Sequence, residues 1–213
     1  MTVFDPGQVS NIYPHLNFDP EWFLLGGPGG ASEAQDLRQK FPAIATVGFE
    51  PNSVLFNLQR ARGFPGLLLP YALWDERKKM ELKTVGDEKG YWQEMHCASL
   101  AAFDRHPDVQ QTMRVEARTL DDLSEEFGPF RQSVLWIDIE ESELQCLLGA
   151  RKLLAAGEIR LINAELSQER LPTVAELLRS YGIREVGRWN ANTVRTDGGR
   201  FRHWWNVIFR SER

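Results

Sequence analysis

Apolar residues in this chain come in short runs separated by stretches of helical period, and that alternation predicts its elements. Trp22-Phe23-Leu24-Leu25 reads as a strand that stops at Gly26-Gly27-Pro28-Gly29-Gly30. Ser32, with Gln35 three positions on, reads as a capping box opening a helix that ends near Phe41-Pro42. Ala45 to Phe49 is a second strand, closed by Glu50-Pro51, and Asn52 to Arg62 a helix with Val54, Leu55 and Leu58 on one face. Gly66 to Leu73 is a third strand. Lys78 to Lys83 and Thr112 to Ala117 alternate like half-exposed strands around a polar stretch, Gly86 to Pro107, of the length that often carries function. Thr119 to Phe127 is a short acidic helix, and Ser133 to Asp138 is a strand apolar enough to be buried on both faces.

Ser142 to Ala155 is then a helix with Leu144, Leu147, Leu148, Leu153 and Leu154 on its apolar side. Ile159 to Leu166 is a strand, and Thr173 to Tyr181 is a helix ended by Gly182. Glu185 to Trp189 and Trp204 to Arg210 form a final antiparallel pair. Residues 1–20, broken by Pro6, Gly7, Pro14 and Pro20, are expected as an irregular arm laid on a single domain of residues 21–213. Strands alternating with helices predict an α/β fold, a mostly parallel sheet with helices on both faces.

Composition narrows the function. The chain has 213 residues, enough for one domain with a sizeable core. Its net charge of −5 gives no broad pull toward nucleic acid or anionic lipid, so neither is expected as a partner. Two cysteines, Cys97 and Cys146, build neither a disulfide framework nor a Cys-rich zinc site and suit a reducing, cytoplasmic setting. No apolar stretch approaches the ~20 residues of a membrane helix, and residues 1–20 lack the pattern of a signal peptide.

Three features fall at predicted strand ends, where open α/β sheets bind ligands. The first is the glycine cluster, whose backbone can approach a ligand closely. The second is Glu50, 20 positions past Gly30 and so placed to accept hydrogen bonds from ribose hydroxyls. Together they favour an adenosine-containing ligand without separating NAD from S-adenosylmethionine, although Pro28 breaks the G-x-G-x-x-G spacing. The third is Asp138, which ends the apolar strand and opens the acidic run Asp138-Ile139-Glu140-Glu141-Ser142-Glu143. A carboxylate there is costly unless it is paired or partly wet, which favours a site role.

Activating a hydroxyl calls for a base, and a histidine suits that task. His96, near Tyr91 and Trp92, and His203, beside Trp204 and Trp205, are candidates, and His96 joins Asp138 as an expected catalytic residue. His15 and His106 have weaker claims. Asp138 and Glu165 could face a divalent ion, but no third ligand stands out and no metal is expected.

Four phrases taken in order resemble the FkbM-type family of S-adenosylmethionine-dependent methyltransferases. They are Gly-Gly-Pro-Gly-Gly at 26–30, Phe41-Pro42 with Gly48-Phe49-Glu50-Pro51-Asn52, Arg118-Thr119-Leu120-Asp121-Asp122-Leu123, and Ile137-Asp138-Ile139-Glu140 running to Leu148-Gly149-Ala150. The resemblance implies a Rossmann-like, seven-stranded sheet with a reversed last strand. It implies S-adenosylmethionine held by Gly26, Gly27, Pro28, Gly30, Glu50 and Pro51, with the adenine end near Tyr71, Ala72 and Leu73. Asp138 would lie at the methionine end and the reacting centre, either accepting the acceptor's proton or holding the donor's ammonium group. The activity it implies is O-methylation of a small molecule or sugar-like hydroxyl.

Two positions depart from the family pattern. Leu24 replaces an acidic residue two positions before the first glycine, and Glu141 replaces a glycine after Asp-x-Glu. The alternatives left open are a non-catalytic adenosyl-binding relative and a nucleotide-dependent oxidoreductase. A homodimer is one oligomeric option the sequence does not decide.

Overall fold

The computed structural model describes residues 9–27, 31–85, 98–99, 109–195 and 201–212. A 3-10 helix, Val9–His15, precedes β1 (Trp22–Gly26), α1 (Ser32–Lys40), β2 (Ala45–Phe49), α2 (Ser53–Ala61) and β3 (Leu67–Leu69). Then come β4 (Tyr71–Leu73), β5 (Lys78–Val85), β6 (Ala98–Ser99), β7 (Val109–Arg118), α3 (Leu120–Phe127) and β8 (Ser133–Ile137). The chain finishes with α4 (Glu143–Leu148), α5 (Arg151–Ala156), β9 (Ile159–Ser167), α6 (Leu171–Ser180), β10 (Ile183–Arg195) and β11 (Phe201–Ser211).

The main sheet has seven strands in the order β10-β11-β9-β8-β1-β2-β3. Its pairs are parallel except those of β11, which runs against both β9 and β10. This is the expected sheet with its last strand reversed. Every residue of β8 is buried, as its apolar run predicts. One face packs Leu24, Leu135 and Ile162 against Leu123, Leu147, Leu154 and Val174 of α3 to α6. The other packs Phe23, Leu25 and Trp136 against Leu37 of α1 and Val9 and Ile12 of the 3-10 helix.

Three elements differ from the sequence reading. The strand expected over Gly66 to Leu73 splits at Pro70, which has no N–H to give a ladder. Its first half pairs with β2, and its second half joins a separate sheet, β4-β7-β5-β6. The helix expected over Ser142 to Ala155 breaks into α4 and α5, because Gly149 lies against the Trp74 backbone and a Cβ there would strike the Trp74 carbonyl oxygen. The Ser32–Gln35 capping box does not form. The N-cap of α1 is Ala31, in the left-handed region at φ 63°, and Ser32, already helical, donates its hydroxyl to Glu33 instead.

Candidate functional site

The chain runs outward from β1 through β2 to β3 and returns to β8 on the other side of β1, so a crevice opens at the carboxyl ends of β1 and β8. Gly27 N–H donates to the Phe49 carbonyl at 3.3 Å, and Asp138 N–H donates to the Gly26 carbonyl at 3.2 Å. These bonds lock the ends of β1, β2 and β8 together. Gly27 has φ 69°, and a Cβ there would drive into the Asp138 carbonyl oxygen. Leu24, the first departure from the family pattern, is fully buried among core residues.

Glu50 follows β2 and is 5% exposed. Its Oε1 accepts the Asn52 N–H at 2.9 Å, and its own N–H donates to Leu69. Burial pushes its carboxyl up to about 7, against the opposing pull of the Asn52 N–H. Asn52 is also the N-cap of α2, its Oδ1 accepting from Val54 and Leu55 N–H. The Asn52 Nδ2 is buried with no hydrogen-bond partner among the described residues. Ala72 is buried with Trp74 and Ala117 in the smaller sheet, while the neighbouring Leu73 packs toward Gly26.

Asp138 differs from Glu50 in its surroundings. As a residue Asp138 is exposed, while protein atoms crowd around its carboxyl. Surrounding protein holds its carboxyl well above the usual range; the Glu165 carboxyl, hydrogen-bonded to it, adds to the rise, and Glu33 at the start of α1 adds more. Glu143, 2% exposed at the start of α4, turns its Oε1 back to the Ile139 N–H at 3.0 Å. Burial pushes Glu143 up to about 8, with Asp138 and Glu141 adding to the rise. Glu140 and Glu141 both adopt left-handed backbone, at φ 53° and 70°. Glu141, the second departure, therefore holds the conformation that glycine takes without strain.

Glu165 was visible in the sequence only as half of a weak metal pair. Among the described residues no three His, Cys, Asp or Glu side chains converge as a metal site. The sequence reading missed Glu33 and Glu143, because acidic residues in a first helical turn ordinarily serve the macrodipole. It also missed a buried relay beside the crevice. Trp189 Nε1 donates to Asn163 Oδ1 at 3.2 Å, and Asn163 Nδ2 donates to Asn206 Oδ1 at 2.9 Å. Pro28, Gly30, His96 and His106 lie outside the described residues, as does the side chain of His203. His15 sits against Gly187, three strands across the sheet from Trp136 through Ile208 and Asn163.

Comparison with known proteins agrees with this fold. No curated protein sequence matches the chain. Among solved structures, the precorrin-6y C5,15-methyltransferase of Geobacter metallireducens is similar at a TM-score of 0.50 and 12% identity, covering 99% of this chain and 90% of that one. A Pyrococcus horikoshii protein assigned as an RNA methyltransferase is similar at a TM-score of 0.50 and 8% identity, covering 97% and 83%. At these identities the likeness shows the shared fold. The model of the methyltransferase FkbM domain matches residues 31–185, most of the chain. The chain therefore belongs to the FkbM methyltransferase family and is an S-adenosylmethionine-dependent methyltransferase.

Proposed function

We propose that this enzyme methylates a hydroxyl oxygen of a small-molecule acceptor, with the donor lying across the ends of β1 and β2 and the acceptor at Asp138. The residues present fit the donor. Gly27 brings bare backbone to the crevice where any side chain would collide with Asp138. Glu50 offers a carboxylate to ribose hydroxyls from a sealed strand end, and the orphaned Asn52 Nδ2 offers a donor beside it. Pro51 restricts the preceding Glu50 to extended backbone. S-adenosylmethionine supplies an activated methyl group on a sulfonium, so the protein's own work is to place the acceptor and take its proton.

The observation that carries this reading is Asp138, an exposed residue at the switch-point crevice with a raised proton affinity. A base with that property suits a neutral hydroxyl. Glu33, Glu143 and Glu165 line this end of the crevice with carboxyls, and among the described residues no basic group stands with them to neutralise a phosphate backbone, which favours a small acceptor. The test is methyl-labelled S-adenosylmethionine offered with a mixture of hydroxyl-bearing small molecules and, separately, with total RNA. Label recovered as a small-molecule methyl ether supports the proposal. Label in RNA, or on nitrogen, overturns it.

A further inference from the structure

We propose that Glu165 is a positioning residue for the transfer: beside Asp138 it completes a carboxyl pair that, with both members charged, takes the one proton that the acceptor hydroxyl gives up and holds it between them. The inference rests on the methyl-transfer reading above. Its first support is register. β8 and β9 are parallel with Ile137 beside Ala164, so the next step of each strand sets Asp138 beside Glu165. Glu165 raises the proton affinity of Asp138 through its charge and through the hydrogen bond the two carboxyls make when one of them carries a proton.

The second support is the floor under the pair. Asn206 lies opposite Glu165 across β9 and β11, and Trp189 lies opposite Asn206 across β11 and β10. Asn163, two residues before Glu165, ties the Asn206 and Trp189 side chains together. Buried polar groups are costly unless satisfied, and this relay satisfies Asn163 while fixing the strands that carry Glu165. The other groups facing Asp138 are also acidic: Glu33 from α1 and Glu143 from α4, with Glu141 beside Glu143. Two adjacent carboxylates resist being charged together, so the doubly charged pair binds a proton tightly.

In the transfer, the acceptor oxygen forms its bond to the methyl carbon as the carbon–sulfur bond breaks. That electron pair stays on sulfur. The acceptor's proton passes to the Asp138–Glu165 pair, which leaves the doubly charged state and later releases the proton to water.

Carbon-13 NMR titration of aspartate carboxyls reads the pair directly, in the free protein and with S-adenosylhomocysteine, and Asp138→Asn identifies the resonance. The Asp138 midpoint should lie above the usual carboxylate range and fall by roughly one pH unit or more in Glu165→Gln. Glu165→Asp, which keeps the charge, should keep it raised. In the labelled-methyl assay, the rise of rate with pH should follow the Asp138 midpoint and move to lower pH in Glu165→Gln. An Asp138 midpoint that ignores Glu165→Gln, or a rate limb that does not move with it, overturns the proposal. Failure of the wild type to bind S-adenosylhomocysteine would instead remove the donor reading beneath it.

Discussion

The ends of β2 and β8 each carry a carboxyl, and the two are built differently. Glu50 is sealed, with a backbone donor of its own at 2.9 Å from Asn52. Asp138 is exposed as a residue, with its carboxyl crowded by Glu165, Glu33 and Glu143. A sealed carboxylate with a fixed donor can hold a neutral, hydroxyl-rich ligand but is poorly reached by exchanging protons. One on an exposed residue among other acids gains and loses protons readily. On the proposed reading the same chemical group would hold at one strand end and transfer at the other, set by environment.

The hardest blow to both ends at once is Gly27→Ala. The new Cβ meets the Asp138 carbonyl oxygen on left-handed backbone. Overpacking and strain together should cost about 2–5 kcal/mol, measured by urea unfolding, and S-adenosylhomocysteine binding should be lost. A variant of unchanged stability that still binds would mean that the ends of β1 and β8 are not locked as described.

The two ends also share a pH signature. Glu50 and Glu143 are raised to about 7 and about 8, so each binds its proton more tightly folded than unfolded. Stability from such groups is complete below the unfolded carboxylate range and is lost as pH rises through the folded values. The free protein should therefore lose stability between about pH 5 and 8, on the order of 2 kcal/mol from Glu143. Glu143→Gln should remove that part, since its amide oxygen can still accept the Ile139 N–H. Equal slopes of melting temperature against pH in parent and variant would contradict this. Donor binding should run the other way at Glu50, because ribose hydroxyls bond its charged form: S-adenosylhomocysteine affinity should tighten from pH 6 to pH 8.

The smallest effect is local to the β8 end. Glu141→Gly replaces a left-handed glutamate and should raise stability by about 1 kcal/mol. A loss of stability would show that side-chain contacts of Glu141 outweigh its backbone strain.

Which parts were legible in the sequence follows from the range of each signal. The β8 run Ser133 to Ile137 announced a central strand because burial on both faces leaves no polar positions. Glu50 and Asp138 were legible because each directly follows such a run. The split at Pro70 was signalled locally, but where its second half went depends on pairing with β7, far along the chain. The break at Gly149 depends on Trp74, equally remote. Glu165 looked like one polar residue in a strand, and only the β8–β9 register sets it against Asp138. Ser32 misled because capping depends on the conformation of Ala31, which composition does not announce.

The division of labour between the two strand ends is tested most directly by titration calorimetry of S-adenosylhomocysteine against the wild type, Glu50→Ala and Asp138→Asn at one pH near 8. Glu50→Ala removes charge-assisted bonds worth roughly 1.5–3 kcal/mol each and should weaken binding by about tenfold or more. Asp138→Asn keeps size and removes a charge that serves the acceptor, so affinity should stay within about threefold. Equal affinities for Glu50→Ala and the wild type, or a larger loss in Asp138→Asn than in Glu50→Ala, would contradict the account.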